Sequence, residues 1–276
     1  MLIVDAQVHT WAADTPERPW SGGGTPQRDV PFTNQDLLQE MNAAGVDRAV
    51  IVPPGWEGSR NDLALAAAQK HPDRFAVMGR IAPERLSKSQ GALVGWRRQP
   101  GMLGLRLALN TPKAGSILAS GKLDWLWKEA EVEGVRLMIL IWHEFLPLID
   151  EIAARHPNLL LVMDHFSLDS GHYDDDAFRD FDKYLALAKR PNIAAKASAL
   201  PCYSKDVYPY RAVHKYVRQA YDAFGPKRLF WGTDLSRSPI SYRQNVTMFT
   251  EEMPFFSGDD LEWIMGRGVC EWLGWP

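Results

Sequence analysis

The feature that most limits how this chain folds is a punctuation that occurs four times: His71-Pro72-Asp73, His156-Pro157-Asn158, Arg190-Pro191-Asn192 and Gly225-Pro226-Lys227. Each stands between a helix-like stretch and a short apolar run. Proline lacks the N–H that a continuing helix needs, so the helix stops there and a strand begins. Eight apolar runs read as strands: an opening run from Leu2, then Val46–Pro53, Phe75–Ala82, Leu103–Leu109, Val135–Trp142, Leu159–Met163, Ile193–Ala197 and Leu229–Gly232. Between them the pattern predicts helices. One is capped by Thr33, with Asp36 in its first turn, and stops at Gly45; another runs from Asn61 to His71. Further helices are expected near 87–98, 121–133, 145–155, 175–189 and 209–223, and two more close the chain. Short apolar strands, each followed by a helix, call for one closed parallel sheet. The expected fold is α/β, a single-domain (β/α)8 barrel over residues 1–276, close to the usual size of about 250 residues. A doubly wound open sheet is disfavoured because no glycine-rich phosphate loop follows the first strand.

The hydrophobic share of 46% supplies a large core, and a net charge of -3 without a basic block argues against nucleic acid as partner. No run approaches the ~18 apolar residues of a membrane span, so no membrane role is expected. The beginning of the chain has no basic stretch followed by an apolar one, and a cytoplasmic protein is expected. Cys202 and Cys270 are then expected as free thiols. The stretch of residues 10–32, rich in Pro, Gly and Thr, is expected to be a long functional loop, a candidate lid. The apolar end of the chain (Trp263, Trp272, Leu273, Trp275) suggests a packed or subunit-buried tail, and with it a homo-oligomer.

In a barrel of this kind, chemistry sits at the C-terminal ends of the strands. Those ends carry Gln7 and His9, Arg106, His143, His165, Lys196 with Ser198, and Asp234. Side chains alternate along a strand, so Asp5, Gln7 and His9 are expected to share one face. Inward polar groups are costly unless paired or used. Structural alternatives stand beside each functional reading. His71 and His156 suit helix ends, His214 a helix face, and Asp234 a cap of the next helix. Arg106 needs an anion, either Asp5 or Asp164 or a substrate carboxylate. Lys196 is a salt-bridge partner or a substrate ligand, His143 opens a helix or binds substrate, and Trp142 and Tyr203 are rim aromatics or pocket wall. Together His9, His165 and Asp234 suit a divalent metal such as zinc or an oriented water. Without a metal, Asp234 is the candidate general base.

Five stretches in order resemble the amidohydrolase superfamily, in its branch of small lactonases and decarboxylases. Asp5-Ala6-Gln7-Val8-His9 stands for a D-x-H-x-H strand and Gly104-Leu105-Arg106 for a G-x-R strand. Met163-Asp164-His165, Lys196-Ala197-Ser198 and Gly232-Thr233-Asp234 follow at the next sites. The resemblance implies metal binding by the two first-strand histidines, His165 and Asp234, but Gln7 replaces the first of them. A glutamine oxygen is a poorer zinc ligand than imidazole, and the family includes lactonases that need no metal. The expected function is hydrolysis of a lactone or cyclic ester bearing a carboxylate, with Asp234, His9 and His165 as catalytic residues; either a divalent metal such as zinc is held more weakly by His9, His165 and Asp234, with His143, or no metal is required, and the sequence leans to the second. Arg106, Lys196, His143, Trp11, Trp142 and Tyr203, with Trp56, are the expected substrate contacts. The alternatives are a metal-dependent decarboxylase of an aromatic or unsaturated acid and a barrel that only binds a small carboxylate.

Overall fold

The computed structural model describes residues 1–20, 26, 28 and 31–276. Eight strands lie side by side in chain order: β1 (Val4–Val8), β2 (Arg48–Ile51), β3 (Phe75–Arg80), β4 (Met102–Ala108), β5 (Arg136–Leu140), β6 (Leu161–Met163), β7 (Ile193–Ser198) and β8 (Leu229–Gly232). Every neighbouring pair is parallel. The seam between β8 and β1 is bridged where the Asp234 N–H donates to the Gln7 carbonyl at 3.0 Å. The sheet is thus a (β/α)8 barrel.

Outside it run α1 (Asn34–Ala44), α2 (Asp62–Lys70), α3 (Pro83–Leu86), α4 (Pro112–Ala119), α5 (Asp124–Val132), α6 (Leu146–Arg155), α7 (Asp174–Ala177), α8 (Phe181–Leu185), α9 (Arg211–Phe224), α10 (Tyr242–Thr250), α11 (Gly258–Glu262) and α12 (Gly268–Leu273). The start of α1 follows its sequence: the Thr33 side chain and the Asp36 carboxylate cap each other's backbone N–H, and Gly45 ends the helix at φ 76°. In α9, Val213, Tyr216, Val217, Ala220 and Phe224 recur at helical spacing and face the barrel. Below the site, Val4, Ala6, Val50, Met78, Val162 and Phe230 fill the barrel bottom together with Leu273 and Trp275. The tryptophan-rich tail is therefore packed against its own barrel, with the Arg48 guanidinium 5.2 Å from the Trp275 ring.

Four local expectations differ from the structure. Near 87–98 the chain has only α3, turns through Gly91 and Gly95 at positive φ, and a single 3-10 turn at Trp96–Arg98. The Trp96 indole N–H reaches the Gly104 carbonyl instead, 2.9 Å away. The helix at 121–133 begins later, at Asp124, after α4, where Thr111 caps and Pro112 occupies the first turn. The helix at 175–189 is broken into α7, α8 and a 3-10 turn over Ala186–Lys189. Finally, β1 carries a register shift between Asp5 and Val8. An extra residue in a strand reverses the alternation beyond it. Asp5 consequently turns to the outer layer, where it accepts from Thr233 and from the Tyr242 hydroxyl of α10, while Gln7 and His9 reach the cavity. The Gln7 N–H donates to the Asp5 carboxylate at 3.0 Å.

Candidate functional site

A cavity of about 480 Å³ opens at the C-terminal ends of the strands, walled among others by Gln7, His9, Arg80, Arg106, Asn110, His165, Asp234 and Arg237. Three of the strand exits, at His165 after β6, Ala199 after β7 and Asp234 after β8, have positive φ at residues with a side chain. Such conformations cost on the order of 1–3 kcal/mol each and gather at functional sites, where surrounding contacts hold them.

Asp234 sits at the centre. Its Oδ1 is 3.0 Å from His9 Nε2, and its Oδ2 is 3.6 Å from His165 Nε2 and 3.7 Å from Arg237. Burial alone would raise its pKa, but His9, His165 and Arg237 outweigh that and hold it well below the usual carboxylate range. Oδ1 is buried and makes no aligned hydrogen bond among the described residues. Its close partner is His9, and the ionised carboxylate forms part of the cavity wall. His9 is fixed from behind, with Nδ1 2.6 Å from the Val52 carbonyl.

His165 is neutral. Burial pushes its pKa down to about 3 against the pull of Asp234 and Asp164. Its hydrogen bonds define the tautomer. Lys196 can only donate, and it donates to Gln7 Oε1. The Gln7 amide nitrogen is thereby turned towards His165 Nε2, 3.2 Å away, which accepts. Nδ1–H of His165 then donates to Ser198 Oγ at 2.7 Å.

Beneath these groups, the Asp164 carboxylate is shared by Lys196 at 2.7 Å and Arg106 Nε at 3.0 Å. Burial opposes its ionisation, but the two cations draw its pKa down to about 2. The triad resolves the alternatives for Arg106: Asp164 holds its Nε, and its terminal nitrogens are left for the cavity.

The donor set does not fit the metal that the superfamily implies. Among the described residues no three His, Cys, Asp or Glu side chains are arranged to hold an ion. Gln7 offers its N–H rather than its oxygen, because Lys196 occupies the oxygen, and the Nε2 lone pair of His165 is engaged by that N–H. A cation here would face the Gln7 N–H, and His165 has no lone pair left to offer it.

Several expected substrate contacts lie elsewhere. Lys196 is fully buried and forms no part of the cavity wall, since Asp164 and Gln7 consume it. Trp11 is 1% exposed and packs edge-on to Trp56 at 5.3 Å, so neither ring walls the cavity. His143 points away, with Nε2 3.0 Å from the Phe166 carbonyl. Trp142 and Tyr203 line an adjoining cavity of about 360 Å³ that shares Asn110, Leu140 and Arg237 with the first. His71 and His156 lie at helix ends, and His214 lies on α9. The 10–32 loop is tied down over its first part: Arg18 pairs with Glu57 at 2.8 Å and with Asp62 at 2.7 Å. The lid expectation for residues 21–25, 27, 29 and 30 lies outside the described residues. Arg80 and Arg237 were not apparent from the sequence. Arg80 carried the same signal as Arg106, an arginine within an apolar strand, and Arg237 follows Asp234 by one turn.

A parallel barrel with an ionised aspartate ringed by histidine and arginine at its strand ends defines a hydrolase of the amidohydrolase type. The amidohydrolase family model matches residues 4–267, and the chain belongs to that family. It is 27% identical to the 4-sulfomuconolactone hydrolase of Hydrogenophaga intermedia over 76% of this chain and 66% of that protein. It is 25% identical to the L-fucono-1,5-lactonase of Burkholderia ambifaria over 84% of this chain and 79% of that one. Among solved structures, an amidohydrolase from Burkholderia multivorans with bound HEPES superposes with a TM-score of 0.82 at 22% identity, covering 100% of both chains. A probable 2-pyrone-4,6-dicarboxylic acid hydrolase from Acinetobacter baumannii, with citric acid bound, gives 0.76 at 19% identity, covering 99% of this chain and 100% of that one.

Proposed function

We propose that this protein is a lactonase that opens a lactone bearing a carboxylate. The observation that carries the reading is the ionised Asp234 carboxylate, held by His9 and Arg237 in the wall of the same cavity as Arg106. The names of the relatives, a sulfomuconolactone hydrolase and fuconolactonases, agree with the lactone hydrolysis in it.

In the mechanism, Asp234 takes a proton from a water as that oxygen bonds to the lactone carbonyl carbon. The ring C–O bond then breaks, and the proton passes from Asp234 to the leaving ring oxygen, so one water is consumed and a hydroxy acid or its enol is released. Because neighbouring cations make Asp234 a weak base, much of the acceleration falls to stabilising the developing oxyanion. His9, beside the carboxylate, is positioned for that. Neutral His165, with both nitrogens engaged by Ser198 and Gln7, is a fixed wall beside Asp234 and makes no hydrogen bond to the water. The Arg106 guanidinium, braced by Asp164, holds the substrate carboxylate, for which its planar fork is suited. No step needs a metal.

Among the described residues no helix is long and apolar enough to cross a membrane. The two cysteines are unpaired, in keeping with the cytoplasmic location we favour, whereas the homo-oligomer expected from an apolar tail loses its basis because that tail packs on its own barrel. A panel of carboxylated and uncarboxylated lactones, followed by acid release with and without chelator, tests the function. Hydrolysis of a carboxylated member in both conditions is expected. Carbon dioxide release from aromatic acids, dependent on added zinc, would replace this reading with decarboxylation. Binding of carboxylates with no turnover in any assay would replace it with a non-catalytic barrel.

A further inference from the structure

Arg80 closes β3, and its register partner across the parallel ladder is Arg106 on β4. Like charges on neighbouring strands repel and destabilise a sheet unless something anionic lies between them. Arg106 has Asp164. Arg80 has no ion pair within 4 Å and no side-chain hydrogen bond among the described residues, and its Nε is buried without a partner. Burial and, second, the charge of Arg106 push its pKa down to about 10, against a weak pull from Glu84. Glu84 is engaged at the surface by Lys113, 3.3 Å away. The backbone of Arg80 is held on both sides by Asn61, whose Oδ1 accepts from the Arg80 N–H at 2.7 Å and whose Nδ2 donates to its carbonyl at 3.1 Å. An arginine so firmly positioned and so poorly paired lacks a counter-ion that the described chain does not provide.

The charges around the cavity make the deficit specific. Asp234 offsets Arg237, and Lys113 offsets Glu84. Asp164 is one negative charge shared by Lys196 and Arg106, which leaves one positive charge on that triad. Arg80 adds a second. The surplus is in two places, on two guanidinium groups, each suited to one planar acidic group. Unpaired charge is expensive in a partly desolvated pocket.

We infer that Arg80 and Arg106 form a twin anion subsite, so that the ligand of this cavity carries two acidic groups of the carboxylate or sulfonate kind rather than one or none. The inference rests on the lactonase reading for its reaction, and not for its binding. It sets this chain apart from a lactonase for uncharged sugars and makes Arg80 the specificity-determining residue.

The test measures binding apart from turnover. Isothermal titration of the intact protein with isophthalate, benzoate and phenyl phosphate compares two carboxylates, one carboxylate and a single doubly charged group. Isophthalate is expected to bind at least ten times more tightly than either of the others. In Arg80→Gln that preference is expected to fall to within about threefold, and in Arg80→Lys to survive in part, with circular dichroism reporting that both variants fold. Equal affinity for isophthalate and benzoate, preference for phenyl phosphate, or a preference that persists in folded Arg80→Gln would each overturn the assignment. If lactones are hydrolysed while isophthalate shows no advantage, the subsite is wrong and the lactonase stands. If isophthalate is preferred through Arg80 while no lactone is opened, the subsite stands and the lactonase does not.

Discussion

At the scale of the residue, the substitution that matters most is the amide of Gln7. An imidazole there would offer a lone pair, whereas this amide spends its oxygen on Lys196 and presents N–H to His165. Gln7→His is expected to convert the site. After zinc loading and dialysis, metal analysis should find about one zinc per chain in the variant and far less in the parent. Equal occupancy in the two proteins would contradict the reading of the amide. The departure at Gln7 was legible in the sequence because its neighbours Asp5 and His9 frame it. What Lys196 does was not, because a buried cation is defined by the anion across the barrel. Pairing with Asp164 requires β6 and β7 in register, Met163 against Ala195. Arg80 escaped notice for a simpler reason: with the third strand read as continuing to Ala82, its end fell beyond the arginine.

At the scale of the element, β1 teaches that alternation fails where a strand bulges. Period-two reading put Asp5 beside Gln7 and His9, yet the register shift sends Asp5 to α10 and makes it the clasp of the β1–β8 seam. Burial, only partly offset by Thr233, Gln7 and Tyr242, raises its pKa to about 6. A carboxyl raised in the folded state favours the proton there, so its contribution is complete below pH ~4 and is lost as pH rises through about 6. The unfolding free energy of the parent relative to Asp5→Asn should therefore fall by roughly 3 kcal/mol between pH 4 and pH 7, measured by urea denaturation at each pH. A difference that is flat across that window would refute it. Helices were legible where caps and stops are local, as at Thr33 and Gly45. They were misread where tertiary contacts take over, as where Trp96 turns its indole to Gly104.

At the scale of the whole molecule, the barrel was legible because proline punctuation and apolar runs repeat along the entire chain, and each strand end named a place on one rim. The cavity itself was not, since its wall joins residues from β1, β3, β4, the loops after β6 and β8 and the turn that carries Asn110. Aromatic residues near strand ends divided two ways, into the core (Trp11) and the adjoining cavity (Trp142, Tyr203), while Trp275 of the tail fills the barrel bottom. In the lactonase reading proposed above, this architecture holds one ionised carboxylate beside the cations of the cavity. The direct measurement is kcat for the best lactone of the panel in the parent and in Asp234→Asn, each with and without chelator. A fall of about 10²–10⁴-fold is expected in the variant, with ligand binding retained and the parent indifferent to chelator. A variant within threefold of the parent, or a parent silenced by chelator, would contradict it.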